Sequence, residues 1–200
     1  MSDEQPGTTL YVLVPPSPLF AAHWSFFLPD SKGYDSISKR HEESPLGRRI
    51  HVAGDRLHGF KLEMIREYDV SKHRGVASRK FPIGIVPGRY LQSSERINGV
   101  HSGVAKDEDE GGGFVDNQPR DEFERLCTKV EAPGPSLNPV SQGASGVRGQ
   151  KGKVEVRDCQ YWVREVVHEL TIKGMLEEPS EIRMGQSKFP VDLVAQLPPH

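Results

Sequence analysis

Trp162, Val163, Val166, Val167 and Leu170 recur at the spacing of a single helix face, a pattern that suits neither a strand nor a loop. Asp158 stands where an N-cap belongs, because its carboxylate can accept the free N–H groups of the first turn. Gly174 stands where a left-handed C-cap closes such a helix. The pattern therefore predicts a capped, buried helix opening on Arg157-Asp158-Cys159-Gln160-Tyr161-Trp162. Cys159 is its first residue, at the positive end of the helix dipole. That position is expected to lower the thiol pKa and favour the thiolate.

Strands are expected elsewhere. Leu10 to Val14 reads as a buried strand stopped by Pro15 and Pro16. Phe20 to Leu28 reads as a second, with Trp24, Phe26 and Leu28 on one face and His23, Ser25 and Phe27 on the other. Arg49 to Val52 is a short strand ending at Gly54-Asp55. Gly59 to Tyr68 alternates Phe60, Leu62 and Met64 against Lys61, Glu63 and Ile65. An antiparallel meander is the simplest arrangement of these pieces. Phe81 to Val86 is a weaker strand, interrupted by Pro82 and Gly84. A helix is expected from Pro119, with Phe123, Leu126, Cys127 and Val130 at helical spacing. Val154 and Val156 suggest a short strand before the cysteine helix, and one more short element is expected near Val191 to Leu197.

These elements predict an α+β fold, a small antiparallel sheet packed on a helix with an N-terminal cysteine. A single domain is expected over residues 9–176. Polar loops interrupt it at 29–48, 91–113 and 132–152, with a disordered lead at 1–8 and a tail at 177–200. The 20 glycines and 16 prolines of the 200 residues fit such long loops.

Several function classes are disfavoured. The net charge of −2 comes with no recurring basic patch, so no nucleic acid partner is expected. The two cysteines, Cys127 and Cys159, give neither a disulfide framework nor zinc-like spacing. A reducing, cytoplasmic setting is expected. The acidic start Met-Ser-Asp-Glu does not read as a signal peptide. The longest apolar runs are too short for a membrane anchor. No phosphate-binding glycine motif is present, and no cofactor is expected.

A cysteine nucleophile needs a base within reach and a group that orients the base. His23 and His51 lie inside strand patterns, where a side chain is aimed and held. His41, His73, His101 and His200 lie in polar segments, and His58 flanks a turn. His168 is nine residues past Cys159, about 13 Å along the helix axis, too far to touch it.

The order His23-Trp24 on an early strand, His51 on the next strand, and Asp158-Cys159-Gln160-Tyr161-Trp162 opening a later helix resembles the permuted papain-like fold. That superfamily includes lecithin:retinol acyltransferase, small phospholipase/acyltransferases and related deconjugating peptidases. The chain also resembles a fungal branch to which no function is attached. The resemblance implies that His23 is the base, His51 the orienter and Cys159 the nucleophile. It further implies that the Cys159 backbone N–H helps to hold an oxyanion. It covers residues 9 to 67 and 154 to 175. Asp158 departs from the superfamily's usual Asn and Gln160 from its usual acidic residue, and the gap from His51 to Cys159 is long.

The expected activity is thiol-dependent hydrolysis or acyl transfer through a thioester, on a small molecule or peptide. The third catalytic group is open between His51, Asp55 and Glu63. The sequence equally admits an inert core role for Cys159, in an inactive interaction domain or an accessory protein of a biosynthetic pathway. A zinc site from His23, His51 and Cys159 is chemically conceivable but disfavoured, because no carboxylate stands at ligand spacing.

Overall fold

The computed structural model describes residues 6–16, 22–30, 44–73, 75–76, 79–91, 104–136, 157–178 and 190–197. Among the described residues the architecture is α+β, a seven-stranded antiparallel sheet with three helices. The strands are β1 (Thr8–Leu13), β2 (Ser25–Pro29), β3 (Leu46–Asp55), β4 (Gly59–Asp69), β5 (Lys80–Val86), β6 (Val104–Ala105) and β7 (Phe114–Val115). The helices are α1 (Glu122–Lys129), α2 (Cys159–Ile172) and α3 (Pro190–Ala195).

The expected meander forms β1 to β4, each strand antiparallel to the next. The sheet then grows from both edges, giving the order β5-β1-β2-β3-β4-β7-β6. Pro82 is tolerated because β5 is an edge strand, where a missing N–H need not break a ladder. A register shift in the β1–β5 pairing absorbs one residue between Leu10 and Tyr11.

Alternation along the strands sorts the side chains into two cores. Val12, Trp24, Phe26, Ile50, Val52 and Met64 face the helices and pack with Phe123, Leu126, Trp162, Val163 and Val166. Tyr11, Leu13, Phe27, Ile65 and Tyr68 form a smaller core on the other face. Fully burying one such aliphatic or aromatic side chain contributes about 1.5–3 kcal/mol. The capped stripe of α2 supplies five of the helix-side residues, since Trp162, Val163, Val166, Val167 and Leu170 are all 0% exposed.

Both longer helices start as their sequences direct. The Asp158 side chain accepts from the Gln160 and Tyr161 N–H groups, and Asp121 accepts from the Glu124 N–H. Gly174 takes φ 63° just past α2. Glu124 is fully buried yet ion-paired with both Arg48 and Arg66, tying α1 to β3 and β4.

Several expectations are revised. The strand expected over Phe20 to Leu28 is Ser25–Pro29, so His23 stands just before it and not inside it. The strand placed at 49–52 runs from Leu46 to Asp55, because pairing with β4 extends it well beyond its apolar stretch. The loop expected over 91–113 instead carries β6 and a short 3-10 turn at Glu108–Glu110. Residues 177–200 are not simply a tail, because Glu177 bridges Ile85 and Val194 and Leu197 enter the helix-side core. The Val154–Val156 strand and most of the 29–48 and 132–152 loops lie outside the described residues.

Candidate functional site

His51 and Glu63 face each other across β3 and β4, and Arg49 faces Ile65 two positions along. Their neighbours Ile50 and Met64 point into the helix-side core. The period of two therefore sends Arg49, His51 and Glu63 to the opposite face of the sheet. His23, just before β2, joins them. Its Nε2 lies 2.7 Å from His51 Nδ1, with the two rings edge-on at 82°. On the other side of His51, Nε2 lies 3.5 Å from Glu63 Oε2, and Lys106 Nζ lies 2.8 Å from the same oxygen.

His51 and Lys106 hold the Glu63 carboxyl down at about 2, with His51 the largest cause. Glu63 is therefore ionised and favours a proton on His51 Nε2, although at 3.5 Å the two do not complete a hydrogen bond. In that tautomer His51 Nδ1 accepts from His23 Nε2, and His23 Nδ1 keeps its lone pair. Burial lowers His23 to about 3 and His51 to about 4, so both rings are neutral near pH 7.

The histidines line a cavity of about 370 Å³, together with Pro15, Arg49, Ala53, Glu63, Ile65, His73, Lys106 and Glu110. The β4–β7–β6 ribbon brings Lys106 and Glu110 to it. Gly111, with φ 98°, lets this ribbon close against the sheet, because a Cβ there would strike the Tyr68 ring.

Cys159 reaches the same region from the helix side. The Trp24 backbone N–H donates toward its sulfur, and Gln160 Nε2 donates to the Ala22 carbonyl at 3.0 Å. The α2 tip is thereby seated on residues 22–24, where β2 has not yet begun. The thiol and the His23 imidazole thus border one short segment from its two sides. Cys159 is 7% exposed and is absent from the cavity lining. No hydrogen bond joins its sulfur to His23.

Burial pushes the Cys159 thiol up, and the Asp158 carboxylate adds to the shift. The expected thiolate at the helix tip is therefore corrected. A helix N-terminus is worth about 0.3–1 kcal/mol to an exposed charge, too little to offset desolvation in this packing. At rest Cys159 is a protonated thiol and His23 a neutral imidazole.

Of the alternatives for a third group, Glu63 is in the chain of contacts. Asp55 is not, because it caps the β3–β4 turn and holds His58 Nδ1 at 3.0 Å. Among the described residues, no group of three His, Cys, Asp or Glu side chains is placed to hold a metal ion. Among the described residues, no helix is long and apolar enough to cross a membrane.

Sequence reasoning passed over Arg49, His73, Lys106 and Glu110. Arg49 was open to discovery, since it lies two residues from His51 and hence on the same face. His73 is anchored by the Tyr68 hydroxyl at 2.7 Å, a contact that no local pattern announces.

A family model matches residues 10–177, the span from β1 to just past α2, and its description is a family of unknown function, DUF6540. No curated protein and no solved structure matches the chain.

Proposed function

The chain belongs to the DUF6540 family, and we propose that it is a thiol-dependent hydrolase or acyltransferase with a permuted papain-like arrangement. The observation that carries this reading is the Glu63–His51–His23 chain. It leaves His23 Nδ1 as an unprotonated acceptor, beside the peptide unit that meets Cys159. In this reading His23 is the base, His51 orients it and Glu63 balances the charge that His23 gains.

Reaction begins from the neutral pair, once the α2 tip shifts to bring the Cys159 thiol, which has no hydrogen bond to His23 at rest, within reach of the imidazole. The sulfur then attacks a carbonyl carbon as its proton passes to His23 Nδ1, so no standing thiolate is required. The Cys159 backbone N–H, which Asp158 does not use, donates to the developing oxyanion. The leaving group departs with the proton from His23, and a thioester remains on Cys159. Water or another nucleophile then attacks the thioester and restores the thiol. A small molecule or peptide is the proposed substrate, and a reducing compartment keeps the nucleophile competent.

Iodoacetamide labelling tests this. Cys159 should be alkylated faster than Cys127 at pH 7 to 8, and His23→Ala should slow Cys159 by about tenfold or more. A Cys159 as inert as Cys127, and indifferent to His23→Ala, would remove the enzyme reading.

One observation favours a second reading. Cys159 is nearly buried, with its thiol pushed up and no part in the cavity lining. That suits a non-catalytic interaction domain or an accessory protein in which the sulfur is core. The same labelling experiment separates the two.

A further inference from the structure

We propose that the cavity on the open face of the sheet binds a carboxylate, with the Arg49 guanidinium as its anchor. Arg49 is 6% exposed, and Nε donates to Ser25 Oγ at 3.0 Å. Its guanidinium carbon sits 5.4 Å from the Tyr68 ring centroid. No carboxylate lies within ion-pairing distance of it among the described residues. The buried Arg66 and the half-buried Arg48 contrast with it, because both pair with Glu124. Glu110 and Glu63 favour its charge only from beyond ion-pairing distance, and a buried guanidinium that no carboxylate touches is costly, so its open edge suits an anion. The planar fork matches a carboxylate with two parallel hydrogen bonds.

The neighbouring groups set the ligand's charge. Lys106 is engaged by Glu63 at 2.8 Å, and His73 Nδ1 by the Tyr68 hydroxyl at 2.7 Å. Glu63 and Glu110 also line the cavity. A monoanion neutralises Arg49, whereas a phosphate dianion would meet repulsion from both glutamates. His23 and His51 line the same space, so a bound carboxylate would place the rest of the molecule beside the imidazoles. The inference names a substrate class for the thiol reading and rests on it only for that; the anion site itself does not require Cys159.

Propionate, neutral propionamide and inorganic phosphate are the probes, titrated into the full chain while the histidine ring signals are followed by NMR. Propionate should shift the His23 and His51 signals of the unmodified protein, and propionamide and phosphate should not. Arg49→Gln should weaken propionate binding by about 10- to 100-fold, Arg49→Lys should weaken it less, and Cys159→Ser should leave it unchanged. Equal shifts with propionamide, or no shift with propionate, would overturn the proposal on the unmodified protein alone. So would undiminished propionate binding in Arg49→Gln. If binding behaves as expected while Cys159 labelling ignores His23, the thiol reading fails and the carboxylate site stands. The reverse pattern removes the carboxylate site and leaves the thiol reading.

Discussion

His23 Nε2 and His51 Nδ1 lie 2.7 Å apart, although 28 residues separate them in the chain. One lies just before a strand and the other inside its antiparallel neighbour, on the same face. His51 is buried and His23 half-buried, and Glu63 faces the far end of His51. This contact turns two ordinary imidazoles into a directional pair.

The pair makes stability depend on pH. Both histidines have folded values, about 3 and about 4, below the ordinary 6.5. Above pH 6.5 the rings are neutral in the folded and unfolded chains alike, and nothing is lost. As pH falls below 6.5 the unfolded chain takes up protons that the folded chain refuses, so stability declines towards pH 4. The loss should be on the order of a few kcal/mol between pH 7 and pH 4. Urea midpoints should fall over that window, and His51→Gln should flatten the fall. A flat profile in the unmodified protein would show that the pair is not buried neutral.

The third group is decided by a pair of substitutions. Glu63→Gln removes the charge that stabilises a protonated His51–His23 pair, whereas Asp55→Asn touches only the turn that holds His58. Under the thiol reading, Glu63→Gln should slow Cys159 labelling by about tenfold, the equivalent of one pKa unit on the base. Asp55→Asn should leave the rate unchanged. The opposite ranking would put the turn carboxylate, not the strand carboxylate, behind the imidazoles.

On the helix side, Glu124 is the shared counter-ion of Arg48 and Arg66 and is 0% exposed. Glu124→Ala leaves two largely buried cations facing each other, with Asp121 and Asp116 as their remaining partners. Chemical denaturation should show a loss of about 3–5 kcal/mol. A loss below about 1 kcal/mol would mean that water reaches the arginines freely once the carboxylate is gone.

Local periodicity announces much of this molecule. The α2 stripe from Trp162 to Leu170, its Asp158 cap and Gly174 stop, and the opposed faces of Trp24–Phe26 and His23–Phe27 all follow from spacing alone. The elements that escape it depend on distant partners. β3 is lengthened at Leu46 by pairing with Asp69, and β6 and β7 are two-residue strands that exist only because β4 offers an edge. Lys106 and Glu110 enter the cavity by that route, so an acidic, glycine-rich stretch that reads as plain solvated loop becomes one of its walls. The Cys159 thiol escaped for an energetic reason. A helix tip and a buried sulfur pull its pKa in opposite directions, and only the packing around residues 22–24 says which is larger.

That balance can be moved with one atom pair. Asp158 has two effects on Cys159. Its side chain caps α2 through the Gln160 and Tyr161 N–H groups at 3.0 and 3.2 Å, and its charge raises the neighbouring thiol. Asparagine retains a capping oxygen and removes the charge. Asp158→Asn should therefore leave helix stability within about 0.5 kcal/mol, because Asn and Asp are comparable caps. The ion pair with Arg56 at 2.9 Å is lost, but Arg56 is partly exposed and such pairs contribute about 0–1 kcal/mol. Cys159 labelling should accelerate, and its pH profile should move to lower pH. Asp158→Ala separates the two effects, since it removes both cap and charge and should cost about 1 kcal/mol while also speeding labelling. Labelling that is unchanged in both variants would mean that access to the sulfur, not its ionisation, sets the rate. The thiol would then have to be exposed by movement of the α2 tip before any acyl group could reach it.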